Sequence, residues 1–97
     1  MKDITIDWDK VKNNKNIIKH KVDFIEAQTV FYDENALIIN DHDHSDNEER
    51  FLILGLSEKF RVLVVSHCYK NNDANIRIIS ARKATKKEQM TYKRRLN

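Results

Sequence analysis

Arg50, Arg77 and Arg82, together with His20 and His67, are the side chains of this sequence best suited to chemistry on an anion. Arginine stays charged, and its planar fork matches two phosphate oxygens at once. Histidine changes protonation near neutral pH and so can carry protons. The run Arg77-Ile78-Ile79-Ser80-Ala81-Arg82-Lys83-Ala84-Thr85-Lys86-Lys87-Glu88 concentrates the cations. It reads as a strand running into a basic helix, a phosphate-handling surface. Lys83, Lys86 and Lys87 add point charges there, and Lys19 adds one beside His20.

Each of these residues also has a plainer use. An arginine can form a structural ion pair, with Glu49 or with a carboxylate of the acidic half. His20 can cap a helix or pack beside Phe24, and His67 can be a half-buried histidine bonded to backbone. Glu49 is the best carboxylate for a general base, yet it adjoins Arg50, and successive strand residues face opposite ways. Asp41, His42, Asp43, His44 and Asp46 are metal-ligand types. Their spacing matches no metal motif, so a loop is expected, with no metal or other cofactor. Cys68 is the single cysteine and has no partner for nucleophilic catalysis.

The elements that must position these groups follow from periodicity. Ile4 to Trp8 alternates as a short strand. Residues 9–20 read as a polar helix with Val11, Asn14, Ile17 and Ile18 on or near one face. Asp23 and Glu26 form a box-like start for a second helix with Phe24, Ala27, Val30 and Phe31 as its apolar stripe. Ala36 to Asn40 is a strand, and an acidic loop follows. Three stronger strands span Arg50 to Leu56, Arg61 to Tyr69 and Ile76 to Arg82, with gaps short enough for antiparallel neighbours. Gly55 marks a bulge or a close backbone approach. Regular alternation puts Arg77, Ile79 and Ala81 on one face of the last strand and Ile78, Ser80 and Arg82 on the other. Thr85 and Glu88 form a capping box for a basic helix over 86–95. The order β-α-α-β-β-β-β-α, with a mostly antiparallel sheet, makes an α+β domain.

With 97 residues there is room for one domain. No apolar run approaches the ~20 residues of a membrane span, and MKDITIDWDK lacks the apolar segment of a signal peptide. One cysteine excludes an internal disulfide, and a cytoplasmic protein is expected. The net charge of +3 hides an asymmetry: residues 1–56 hold 7 Lys/Arg against 12 Asp/Glu, and residues 57–97 hold 11 against 3. The basic half suits nucleic acid or an acidic protein.

Taken together, the residues resemble a known family. Trp8-Asp9, Asn14, Lys19-His20, Phe24, Ala27 and Val30-Phe31-Tyr32-Asp33 lead into His44-Ser45, Glu49-Arg50, Ile53, Gly55 and the terminal RIISARKATKKE. This pattern, over about residues 4–92, is similar to the BrnT toxins of bacterial type II toxin–antitoxin modules. The resemblance implies a RelE-like ribonuclease fold and metal-independent RNA cleavage that stops translation. It selects Arg50 and Arg82 for the scissile phosphate and implies a structural role for His44-Ser45 in the turn. It implies a BrnA-like ribbon-helix-helix antitoxin as partner, through which operator DNA would be bound. The rival reading is a non-catalytic nucleic-acid-binding or co-repressor subunit of the same fold.

Overall fold

A computed structural model describes residues 4–45 and 48–96 of the chain. Strand β1 (Thr5–Trp8) leads into helix α1 (Lys10–His20), a short helix α2 (Phe24–Ala27) and a 3-10 turn (Gln28–Tyr32). Strand β2 (Leu37–Asn40) and a 3-10 turn (His42–His44) precede β3 (Phe51–Leu56), β4 (Val62–Lys70) and β5 (Asn75–Lys83). Helix α3 (Lys86–Arg95) follows. The order is the one expected from sequence. The five strands form one sheet in the order β1-β5-β4-β3-β2. Three pairings are antiparallel, and β1 lies parallel to β5.

Helices α1 and α2 cover one face. Val22, Phe24, Ala27 and Val30 pack there against Ile53, Leu63, Val65, Ile78 and Ala81. Trp8 and Phe31 are half-buried against this cluster, so both are core residues as expected. Gly55 is a close approach rather than a bulge. A Cβ there would sit 3.2 Å from the Cβ atoms of Val30 and Ala36. The backbone of the 3-10 turn therefore rests directly on β3.

Helix α1 departs from the expected apolar stripe. Val11 and Ile18 face solvent, at 60% and 74% exposure, and the buried residues are Asn13 and Asn16. Asn13 accepts from the Phe24 N–H and donates to Asp23. Asn16 donates to the carbonyls of Val22 and Ala81 and accepts from the Ala81 N–H. β1 pairs with β5 only as far as Ile78. Past that point Asn16 satisfies the bared edge of β5 as a neighbouring strand would, since buried backbone groups need partners. Apolar periodicity fails here because the helix docks through amides.

The β3–β4 turn is pinned just as specifically. Buried Glu26 receives Ser57 Oγ–H at 2.6 Å and Arg61 Nε–H at 3.0 Å, and the Arg61 fork completes the pair. The Arg61 guanidinium holds the Glu26 carboxyl below its usual range against the opposing effect of burial. Between these anchors Phe60 adopts φ 61°. That left-handed position normally falls to glycine, and a side chain there costs roughly 1–2 kcal/mol.

Candidate active site

β5 contains a bulge that regular alternation does not anticipate. Ser80 pairs with Ser66 and Ile78 pairs with His67, so Ile79 has no partner. Opposed residues of antiparallel strands share a face. Arg82 lies opposite Val64, Ser80 opposite Ser66 and Arg77 opposite Cys68. Arg77, Ser80 and Arg82 therefore share the face that the helical layer leaves open, whereas Ile78 and Ala81 are core. The expected division of Arg77 from Arg82 is corrected by one extra residue.

On this open face lies a cleft of about 360 Å³. His20, Arg50 and Arg82 line it, three of the four catalytic residues expected from sequence. Asp41 and His44 line it too, with Leu52, Val64 and Ile79 as apolar wall and Ser66 and Ser80 as polar wall. Each charged group arrives by its own route. His20 lies one turn beyond Asn16, at the end of the helix that crosses the β5 edge. Arg50 immediately precedes β3. Its carbonyl accepts from the Asp41 N–H at 2.8 Å. Ser45 Oγ closes the loop by donating to the Asp41 carbonyl and accepting from the Arg50 N–H. Ser45 is thus structural, as expected, but His44 belongs to the cleft.

Asp41 fixes His44. The His44 Nδ1 lies 3.1 and 3.0 Å from the two carboxylate oxygens. A carboxylate only accepts, so Nδ1 carries the proton and Nε2 is left as an acceptor when the ring is neutral. This pair was visible in the sequence only as part of an acidic, His-containing loop. Asp46, of the same loop, lies outside the described residues. Among the described residues no group of three or more His, Cys, Asp or Glu side chains could hold a metal ion.

The two arginines differ. Arg82 is clamped end-on by Glu88, Nη1 to Oε1 at 2.8 Å and Nη2 to Oε2 at 3.0 Å, and also reaches the Lys83 carbonyl. Its guanidinium retains Nε–H and one Nη2–H for a ligand, since a guanidinium has five N–H donors. The clamp and the helix cap draw Glu88 down to about 2, the Arg82 hydrogen bond being the largest cause. Arg50 makes no ion pair among the described residues. Its neighbour Glu49 bonds Asn40 and lines a separate cleft with Phe51 and Tyr69, so the two adjacent side chains diverge.

His67 is corrected. It is fully buried on the helix-covered side, packed edge-on against Phe31 with Phe51 and Tyr69 alongside. Its Nδ1–H donates to the Val65 carbonyl at 3.1 Å, and Nε2 accepts from the Tyr69 hydroxyl at 3.2 Å. Burial lowers its pKa and keeps it neutral. His67 follows the odd positions of β4 that carry Leu63 and Val65, and their face is the core. Arg77 pairs with Asp7 at 3.1 Å and lies outside the cleft lining. Lys19, Lys86 and Lys87 are exposed and outside the lining, and Lys83 opens onto a different groove. Cys68 is buried, which raises its thiol pKa and suits an inert residue.

Comparison with known proteins places the fold. The 1.1 Å crystal structure of the Brucella abortus ribonuclease toxin BrnT is similar, with a TM-score of 0.65 and 21% sequence identity. The similarity covers 86% of this chain and 99% of that one, and at this identity it is a likeness of fold. No curated protein matches the sequence. The family model described as the ribonuclease toxin BrnT of type II toxin–antitoxin systems matches residues 8–88, and the chain belongs to that family.

Proposed function

We propose that this chain cleaves RNA in the cleft between His20, His44, Arg50 and Arg82, without a metal ion. The observation that carries the reading is convergence. Two histidines and two arginines from three stretches of sequence line one cleft, with a carboxylate orienting one histidine. Transesterification needs a base, an acid and positive charge, and this set can supply all three. His44 Nε2 accepts the proton of a ribose 2′-hydroxyl as its oxygen bonds to the adjacent phosphorus. Arg50 and Arg82 neutralise the charge that grows on the non-bridging oxygens. The bond from phosphorus to the 5′-oxygen breaks, and His20 gives that oxygen a proton. The products are a 2′,3′-cyclic phosphate and a 5′-hydroxyl. His44 takes the role that sequence assigned to His67.

The wider setting follows the family. The partner is a BrnA-like ribbon-helix-helix antitoxin that neutralises the toxin, and the complex binds operator DNA through the antitoxin. The site of action is cytoplasmic, and the outcome is arrested translation. Lys19, Lys86 and Lys87 adjoin His20 and Glu88 in sequence and supply charge for the RNA backbone.

The test is cleavage of a mixed RNA panel by the purified chain in EDTA, with analysis of product ends. Cyclic phosphate ends are expected, and an Arg50→Ala chain should cleave at least about 100-fold more slowly, the usual size for one lost charge-stabilising donor. An inert parent chain, or an Arg50→Ala chain as fast as the parent, would sink the reading.

A further inference from the structure

Phe60 is the most exposed large apolar side chain among the described residues, at 83%. It also sits in the left-handed region, at φ 61°. The chain gains no burial from this aromatic ring, yet it holds the turn in place on both sides. Ser57 and Arg61 are fastened to Glu26, and the Glu58 N–H is fastened to Thr29 Oγ1 at 2.9 Å. A strained residue that its surroundings over-determine points to a use outside the fold.

Phe60 stands on the wall of a groove of about 630 Å³, between α3 and the β3–β4 turn. Leu56, Val62, Tyr92 and Leu96 supply its other apolar surface. Asp33 is the one carboxylate of the lining among the described residues, and the Leu56 N–H and the Tyr92 hydroxyl occupy it at 2.8 and 2.6 Å. Lys83 and Lys93 are the lining cations outside any ion pair among the described residues. The groove thus offers a preset aromatic, an apolar floor and unanswered positive charge. We propose that it seats a segment of the protein antitoxin in which apolar side chains are flanked by carboxylates. This rests on the reading of the chain as a toxin with a protein antitoxin. A protein segment is favoured over RNA because the lining pairs aliphatic side chains with aromatic ones, and aliphatic surface offers bases no stacking platform.

The groove is distinct from the cleft, since none of the described residues lines both. Antitoxin binding and RNA cleavage should therefore separate by mutation. Phe60→Gly is the sharp variant because glycine suits the turn and relieves the strain. The probe is the product of the reading frame beside this gene, titrated calorimetrically onto Arg50→Ala toxin with and without Phe60→Gly. Phe60→Gly should weaken binding at least about 100-fold, the scale of a central aromatic anchor, with thermal stability equal to or above that of the parent. Placed in the otherwise unaltered chain, it should leave RNA cleavage within about twofold, the ordinary scale of a surface change. Lys93→Glu should weaken antitoxin binding about 10-fold, as loss and reversal of one interfacial charge does. Unchanged antitoxin affinity in Phe60→Gly overturns the proposal. So does a loss of cleavage in that variant, which would make the groove an RNA surface. Failure of the neighbouring product to bind the parent also overturns it, while cleavage by the parent would leave the cleft reading standing.

Discussion

Glu88 grips Arg82 with both carboxylate oxygens while the same side chain closes the capping box of α3. Its Oε1 accepts from the Thr85 N–H at 2.8 Å, and its own N–H donates to Thr85 Oγ1 at 3.2 Å. Strand end, helix start and cleft arginine are therefore one hydrogen-bonded unit. α3 is fastened at its far end by the Tyr92 hydroxyl on Asp33 and by Arg95 on the carbonyls of Asn35 and Ala36. The Tyr92 phenol is pushed up to about 12, first by burial and then by its bond to Asp33. A helix anchored at both ends keeps Glu88, and so Arg82, in one place.

Glu88→Gln should loosen Arg82 and cost roughly 1–2 kcal/mol after solvent screening, as a partly exposed charged fork does. RNA cleavage should slow about 10-fold in the turnover step, with KM little changed, because an orientation is lost rather than a contact. The folded-state Glu88 pKa of about 2 lies below its ordinary 4.5. Its stabilisation is therefore full above 4.5 and disappears as pH falls toward 2. Acid unfolding of the parent, followed by circular dichroism, should contain a component over that window that Glu88→Gln lacks. An identical acid profile in the two proteins would contradict the clamp.

Asp41→Asn should damage cleavage without damaging the fold. Asparagine can present its amide N–H to Nδ1 and favour the tautomer that places the proton on Nε2, where the acceptor must be. The turnover rate should drop by about one to two orders of magnitude, because His44 is solvent-accessible and the tautomer preference is partial. His44→Gln and His20→Gln should each slow turnover about 100-fold or more, the usual share of one general acid or base. If both histidine variants cleave as fast as the parent, proton transfer lies elsewhere.

His67→Phe should leave RNA cleavage within about twofold, since the ring is outside the cleft and aromatic volume is kept. It should cost about 1 kcal/mol for the lost bonds to Val65 and Tyr69. The parent also carries a pH signature. Burial lowers the folded pKa of His67 below 6.5, so the unfolded chain takes up the proton first. Stability is full above pH 6.5 and declines as pH falls below it. In His67→Phe that decline should disappear from urea titrations across this range. A loss of cleavage beyond about 10-fold in the variant would restore His67 to the chemistry.

Element order and boundaries were legible because each element carries its own local signal. Thr85 and Glu88 announce α3, and apolar alternation announces β3 and β4. Arg50, Arg82 and His20 were legible as candidates by residue type, and the structure brings the three to one cleft. Four features were not legible, each for a physical reason. The docking of α1 rests on Asn13 and Asn16, whose polarity reads as solvent-facing. His67 looks functional by type, but the face it shares with Val65 is fixed only once α2 and the 3-10 turn cover that side. His44 depends on Asp41 and on the Ser45 clasp, contacts made by loop closure and invisible to periodicity. The bulge at Ile79 likewise leaves no trace in the alternation of a strand with apolar residues at consecutive positions.

That bulge can be tested directly. Deleting Ile79 restores unbroken alternation to β5, and a one-residue slip turns every side chain on one side of it to the opposite face. Either Ile78 and Arg77 exchange roles or Ala81 and Arg82 do, and in both cases an arginine is driven toward a core built of Ile53, Leu63 and Val65. An uncompensated buried charge is expensive, so the deletion should lower the melting temperature by roughly 10 °C or more. Where Ala81 and Arg82 exchange, cleavage should also fall below detection, since Arg82 and Arg50 would no longer share a face. Ile79→Ala keeps the residue count, and hence the bulge, and trims the cleft wall. It should lose no more than about 1–2 kcal/mol and keep cleavage within about 10-fold of the parent. A deletion variant as stable and active as Ile79→Ala would show that the bulge does not set the facing of Arg82.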